Sequence, residues 1–335
     1  MKNKIIISDP SLRDGNHSVK HKITAKSIER YCKFAESSKI PIVEVGHGNG
    51  LGASSILIGQ SLVDDETMLR TARENLSNTK LGVHIIPGLA TIQKDVDRAI
   101  EIGVDVFRVA THCTEATLSK SHIEYLRDKG CTVHGTLMMT ALIDPKGLVE
   151  QAKIMEEYGA QAVIIMDSTG TYLPSDTKER IERLCDGLNI DVGFHGHNNL
   201  GCAVANSLSA AEAGAKIIDA CIGGFGAGAG NTQLETLVPV LEMSGFDTGV
   251  DFKKLAKGSD EAVDYLVPSI PTPTPINILT GVNKLFSGFE KPILKASRLY
   301  GIEYSSLIFE LGNRKLVAGQ EDLIEETAKN LIKNR

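Results

Sequence analysis

The chain has 335 residues, 42% of them hydrophobic, with 36 Lys and Arg against 42 Asp and Glu and a formal net charge of −6. That acidic balance argues against nucleic-acid binding, which needs a dense basic face, and no apolar run approaches the ~20 residues of a membrane span. The Ile5–Ile7 run after Met1-Lys2-Asn3-Lys4 is too short for a signal-peptide core, so a cytoplasmic protein is expected. Its six Cys form no Cys-x-x-Cys pair and are expected as free thiols.

Eight short runs rich in β-branched residues recur along the chain. They are Ile5–Ile7, Pro41–Val45, Leu81–Ile86, Val104–Val109, Thr132–Met138, Ala162–Met166, Asp191–His195 and Lys216–Ala220. Apolar runs of this length suit strands buried on both faces of a parallel sheet. The segments between them read as helices. Thr24–Ser38 offers a Thr cap and apolar Ile28, Tyr31, Cys32 and Ala35 at helical spacing, and Gly147–Tyr158 and Leu200–Ala213 each stop at a Gly. Glycines 103, 159 and 214 all stand just before a strand.

Strand, loop, helix, Gly, strand, repeated eight times, predicts an α/β fold, a (β/α)8 TIM barrel. A doubly wound sheet would place Gly-x-Gly-x-x-Gly after the first strand, and none is there. The pattern breaks at Val267–Pro275, where four Pro fall in eight positions and read as a stiff extended linker. Beyond it, Ile276–Leu285, Lys291–Tyr300, Tyr304–Leu311 and Gln320–Leu331 look helical. The expected domains are a catalytic barrel over 1–267 and a linker with a small C-terminal helical domain over 268–335.

In such barrels chemistry sits at the C-terminal ends of the strands. After the first strand comes Ser8-Asp9-Pro10-Ser11-Leu12-Arg13-Asp14-Gly15-Asn16-His17. Its charged groups either pair with each other in a solvated loop or form part of a site. The seventh strand ends in His195-Gly196-His197-Asn198-Asn199. Side chains two apart on an extended segment share a face, so both imidazoles are placed to reach one metal ion. Asp14 from the same rim completes a two-His, one-carboxylate set, which suits Mn²⁺, Co²⁺, Mg²⁺ or Fe²⁺. After the eighth strand, Gly223–Asn231 is either a flexible connector or a loop whose backbone N–H groups converge on an anion, next to a helix over Thr232–Met243. Glu44 and Asp167 are expected to brace the ligand imidazoles. Arg108, His47 and His112 are further polar groups at strand ends, while His21, His84, His122 and His134 read as structural or surface residues.

These motifs resemble the metal-dependent pyruvate carboxyltransferase-like (HMG-CoA lyase-like) TIM-barrel superfamily. The resemblance is carried by Asp9–Gly15 paired with His195–Gly201. Asn16-His17, Glu44–Leu51, Arg108–Ala116, Leu137–Met139, Gly226–Asn231 and Gly319–Asp322 are similar to its 4-hydroxy-2-oxovalerate aldolase branch. The resemblance implies a class II pyruvate aldolase, a carbon-carbon lyase that reversibly cleaves 4-hydroxy-2-oxoacids to pyruvate and an aldehyde. It implies a divalent cation, Mn²⁺ foremost and Co²⁺ or Mg²⁺ as alternatives, on Asp14, His195 and His197. His17 would be the general base and Arg13 the partner of the enolate oxyanion, with Arg13, Ser168 and His195 against the substrate. It further implies a helical unit that docks an acylating aldehyde dehydrogenase. A homo-oligomer is left open, since the sequence does not set the oligomeric state. The family's Tyr-rich segment departs here to Gly281–Phe289, with Val282 and Phe286 at the two Tyr positions. A Claisen-type acyl-CoA synthase or lyase of the same superfamily is the alternative, but those enzymes typically carry Gln where His17 stands. A non-catalytic partner-binding subunit is a further alternative, disfavoured by the complete ligand set.

Overall fold

The computed structural model describes residues 3–317 and 319–333. Met1, Lys2, Ala318, Asn334 and Arg335, which fall within the expected units 1–267 and 268–335, lie outside the described residues. Eight parallel strands close into a barrel: β1 (Ile6–Leu12), β2 (Ile42–Val45), β3 (Lys80–Ile85), β4 (Val106–His112), β5 (Thr132–Met138), β6 (Ala162–Asp167), β7 (Asp191–Gly196) and β8 (Ile217–Asp219). Around it run α1 (Ala25–Ser37), α2 (Asp65–Asn75), α3 (Asp97–Ile102), α4 (Lys120–Asp128), α5 (Pro145–Glu157), α6 (Pro174–Gly187), α7 (Ala203–Glu212), α8 (Leu234–Met243) and α9 (Phe252–Leu266). The expected TIM barrel is the observed one.

The local signals work as capping chemistry requires. Thr24 accepts the Ser27 N–H at the start of α1. Asp144 accepts the Gly147 N–H at the start of α5, with Pro145 in the first turn, where its missing donor costs nothing. Gly103, Gly159 and Gly214 sit at φ +90°, +103° and +112°, the left-handed region that lets the chain leave a helix and turn into the next strand.

β1 runs further than its apolar residues suggest. Ser8, Asp9, Pro10, Ser11 and Leu12 belong to the strand rather than to a loop after it. Its pairing with β2 slips between Asp9 and Leu12. That irregularity accommodates Pro10, which has no ladder donor. The barrel interior is layered. Ile6, Ala162, Ile164 and Ile217 form a small apolar floor, separate from the core between sheet and helices. Side chains two apart share a face, so one step along β1 and β8 the pair Ile6–Ile217 gives way to Ser8–Asp219. Above its floor the barrel is therefore filled by polar groups.

The apolar core of the barrel extends to Val267, and a second core starts at Ile276. Between them Pro268–Thr274 forms no helix or strand. The second core is built by α10 (Pro275–Val282), α11 (Glu290–Tyr300), α12 (Tyr304–Arg314) and α13 (Glu321–Lys333). α10 starts one residue earlier than expected because Thr274 and Asn277 cap each other's backbone ahead of Pro275. It also ends three residues earlier, at Val282, before Lys284 at φ +55°. This unit is clasped to the barrel rim. Asn199 Nδ2 donates to the Asn277 carbonyl at 3.1 Å, and the one hydroxyl hydrogen of Ser287 is shared between Asn199 Oδ1 and the Ser168 carbonyl, each 2.9 Å from its Oγ.

Candidate metal centre and active site

Asp14, His195 and His197 meet at the C-terminal mouth of the barrel. Each offers a ligand atom within 4.8 Å of the others, and all three side chains are buried. Asp14 opens a short 3-10 turn, Asp14–His17, straight after β1. His195 lies on β7 and His197 one residue past its end, so the extended backbone puts their rings on one face, with centroids 5.1 Å apart.

The nitrogens are sorted by their neighbours. His195 Nδ1 meets Asp219 Oδ2 at 2.8 Å. A carboxylate only accepts, so Nδ1 carries the hydrogen and Nε2 keeps its lone pair. His195 Nε2 and His197 Nδ1 are buried with no partner. Buried polar atoms left bare are costly. Two bare imidazole nitrogens beside an ionised carboxylate fit a divalent cation. Burial acts to raise the Asp14 pKa, but the Arg13 guanidinium and the surrounding imidazoles hold it well below the usual carboxylate range. Burial pushes His197 down to about 3, against the pull of Asp14, so this ring is neutral and able to ligate at neutral pH. The oxygen and nitrogen donor set, without thiolate, suits a catalytic rather than a closed structural site.

The glycine-rich loop has an anion to cradle, and it is the chain's own Asp14. Asn231 Nδ2 donates to Asp14 Oδ2 at 2.7 Å and the Ala227 N–H at 3.4 Å. Arg13 Nη1 takes the other oxygen at 2.7 Å. The helix expected from Thr232 begins at Leu234 instead. The backbone from Asn231 to Gln233 is drawn into bridges with His197 and Cys221.

Arg13 is buried and held on two sides. Nε donates to Glu44 Oε2 at 2.8 Å and Nη1 to Asp14, while Nη2 has no partner. His17 is half-buried over Gly48, where an added Cβ would fall 2.6 Å from three of its ring atoms. Desolvation lowers the His17 pKa, with Asp14 opposing and Arg13 assisting. Ser168 directly follows β6, the neighbour of β7. Its Oγ accepts the Met139 N–H at 3.0 Å, so the hydroxyl hydrogen remains to donate.

Two expectations are corrected. Glu44 does not brace a ligand imidazole. It receives Arg13 and, at 2.6 Å, Arg108 Nη1. Asp167 does not either: its carboxylate accepts from Thr169 Oγ1 and from the N–H groups of Thr171 and Tyr172, tying down the loop after β6. The carboxylate on His195 is Asp219, which sequence reasoning passed over. Its signal was a charge at the end of the apolar run Ile217-Ile218-Asp219-Ala220, since a buried charge must be paired. Arg108, inside Val106–Val109, carries the same signal. Of the two positions that depart from Tyr, Val282 is 60% exposed, and Phe286 packs on Phe289 within the C-terminal core.

Residues 4–261 match the HMGL-like family and residues 271–333 the DmpG-like communication domain. Relatives from Pectobacterium atrosepticum and Spirochaeta aurantia, both named 4-hydroxy-2-oxovalerate aldolase, are 51% and 52% identical to this chain. Each alignment covers 99% of this chain and 97% of the relative. The carboxyl transferase domain of Rhizobium etli pyruvate carboxylase superimposes with a TM-score of 0.81 at 18% identity, over 99% of this chain and 60% of that one. That likeness concerns the fold.

Proposed function

The chain belongs to the HMGL-like family, and on that premise we propose that it is a divalent-metal-dependent class II pyruvate aldolase acting on 4-hydroxy-2-oxovalerate or a close homologue. The observation that carries the reading is the meeting of Asp14 with the bare nitrogens of His195 and His197, beside an Arg13 whose Nη2 is buried and free. The full-length relatives named 4-hydroxy-2-oxovalerate aldolase agree with it.

Asp14, His195 and His197 would hold the cation, Mn²⁺ in this reading with Co²⁺ and Mg²⁺ as substitutes. When bound it supplies Lewis-acid polarisation of the 2-oxoacid. His17, neutral because burial disfavours its charged form, takes the proton of the C4 hydroxyl. The C3–C4 bond breaks, C4 leaves as an aldehyde, and the electron pair moves through C3 to the C2 oxygen as pyruvate enolate. Arg13 is pre-set by Glu44 and Asp14, so Nη2 meets this developing charge without reorganising. Proton return to C3 gives pyruvate. Ser168 donates its hydroxyl hydrogen to the pyruvate end of the substrate.

In this reading residues 1–267 carry the chemistry. Residues 268–335 present a surface to a partner, an acylating aldehyde dehydrogenase that would consume the aldehyde. The communication-domain match and the exposed Ile278, Val282, Leu299 and Phe309 of that unit support it. A reducing cytoplasm suits six cysteines that are all free, and among the described residues no helix is long and apolar enough to cross a membrane.

The test is direct. Purified protein with Mn²⁺ should release pyruvate from 4-hydroxy-2-oxopentanoate and lose the activity to a chelator. His17→Ala should cost roughly 10²–10⁴-fold. Turnover that survives complete metal removal would overturn the mechanism.

A further inference from the structure

Beneath the site lies a chain of buried charges that the reaction as described does not use. Arg108 projects from β4 into the barrel and is 1% exposed. One of its nitrogens, Nη1, donates both to Glu44 Oε1 at 2.6 Å and to Asp219 Oδ2 at 2.8 Å. The far oxygen of Glu44 holds Arg13 Nε at 2.8 Å. The same oxygen of Asp219 that meets Arg108 also accepts from His195 Nδ1 at 2.8 Å. Five side chains thus form one line, Arg13–Glu44–Arg108–Asp219–His195. Its two ends are the guanidinium that meets the enolate in the proposed mechanism and an imidazole that would help hold the cation.

Burying such a line is expensive. Each ion loses its hydration, and well-packed apolar residues of the same volume often stabilise a fold as well or better. β2, β4 and β8 carry buried apolar Ile42, Val106 and Ile217 two residues before Glu44, Arg108 and Asp219, on the same face one layer below, so the fold has a cheaper filling to hand. What the ionic line provides and an apolar one lacks is direction, because each carboxylate is fixed between two donors. With Arg108 removed, Glu44 and Asp219 each keep one partner and regain freedom to rotate.

We infer that Arg108 is a positioning residue that sets two things at once: the aim of Arg13 at the reacting oxygen, through Glu44, and the aim of His195 Nε2 at the cation, through Asp219. It touches neither substrate nor metal. The inference rests on the aldolase reading of this site and deepens it, assigning a single residue to the alignment of the two electrophilic groups.

The experiment uses the full chain and its Arg108→Gln and Arg108→Lys variants. Mn²⁺ affinity is read without substrate, by calorimetry and by the electron paramagnetic resonance signal of free Mn²⁺. Then kcat and KM for the oxoacid are read at saturating Mn²⁺. Arg108→Gln should weaken Mn²⁺ binding roughly 10–100-fold, the usual cost of losing support behind a ligand. At saturating metal its kcat should still be lower by about 10–100-fold, as misplacement of a catalytic group by an ångström predicts, with KM changed far less. Arg108→Lys keeps a cation between the two carboxylates and should recover most of both losses. A folded Arg108→Gln protein with wild-type Mn²⁺ affinity and kcat overturns the inference. If that variant does not fold, Arg108→Gln with Asp219→Asn, which removes the stranded charge, is read by the same two measurements against Asp219→Asn alone, and equal kcat in those two proteins overturns the inference. If that too fails to fold, Arg108 is a structural counter-ion and the inference fails. A wild-type protein that binds no Mn²⁺ or releases no pyruvate refutes the aldolase reading instead, so the two failures are distinguishable.

Discussion

Asn231, on the loop after β8, reaches Asp14 on the neighbouring turn after β1, its Nδ2 donating to Asp14 Oδ2 at 2.7 Å. The bond ties the loop after β8 to the turn after β1 and fixes the rotation of the carboxylate, whose other oxygen is held by Arg13. The amide's own Oδ1 is buried without a partner. Asn231→Ala should therefore leave the fold intact and weaken Mn²⁺ binding by roughly 10–100-fold. Calorimetric titration of Mn²⁺ into the two proteins checks this, and equal affinities would remove Asn231 from the support of Asp14.

Gly48 leaves room for His17. A methyl group there would sit 2.6 Å from three ring atoms of the imidazole, so the ring must swing aside. Gly48 itself has no left-handed backbone to be strained by the change. Gly48→Ala should cut kcat by about 10–100-fold through displacement of His17, the proposed base, and leave Mn²⁺ affinity unchanged. A parallel loss of metal binding would mean that the whole turn had moved.

The pH profile follows from the direction of the His17 shift. Desolvation lowers its pKa below 6.5, with Asp14 pulling the other way. The base form is the neutral ring, so activity is full above that pKa and is lost as pH falls through it. kcat/KM should be flat from pH 7 upward, with its acid limb below 6.5. The residual activity of His17→Ala should lack that limb. An acid limb centred above pH 7, or one that persists in the variant, would assign the titration to another group.

The eight strands are legible because parallel strands covered on both faces are nearly all apolar, and a run such as Ala162–Met166 has no other reading at that length. β1 escapes beyond Ile7 for the complementary reason. Ser8 faces Asp219 inside the barrel and Asp9 faces Tyr31 behind it, and polar residues in sequence look like a loop until their buried partners are known. The proximity of His195 and His197 is legible because a two-residue spacing on a strand is local geometry. Which carboxylate stands behind His195 is not, because Glu44, Asp167 and Asp219 are all acidic residues near strand ends. Only the closed barrel, which brings β2, β4 and β8 around Arg108, assigns them.

Asp9 gives a stability prediction whose sign differs from that of Asp14. Burial raises its pKa from 3.8 to about 6, and hydrogen bonds from Ser11 and Tyr31 offset only part of that. The folded chain then holds this proton more tightly than the unfolded one. The stabilisation is fully present below pH ~4 and is lost as pH rises through about 6. Asp14 and Glu44, held low, contribute in the opposite direction, so the whole-protein curve does not isolate Asp9. A comparison with Asp9→Asn does, since the amide keeps the shape and cannot ionise. Between pH 4 and pH 7.5 the variant should gain stability relative to wild type by about 1–3 kcal/mol, up to the free-energy equivalent of the shift. Urea unfolding of both proteins at the two pH values measures it. A stability difference that stays constant with pH, or that moves towards the wild type as pH rises, would show that Asp9 is ionised in the folded barrel throughout this range and that the hydrogen bonds from Ser11 and Tyr31 outweigh its burial.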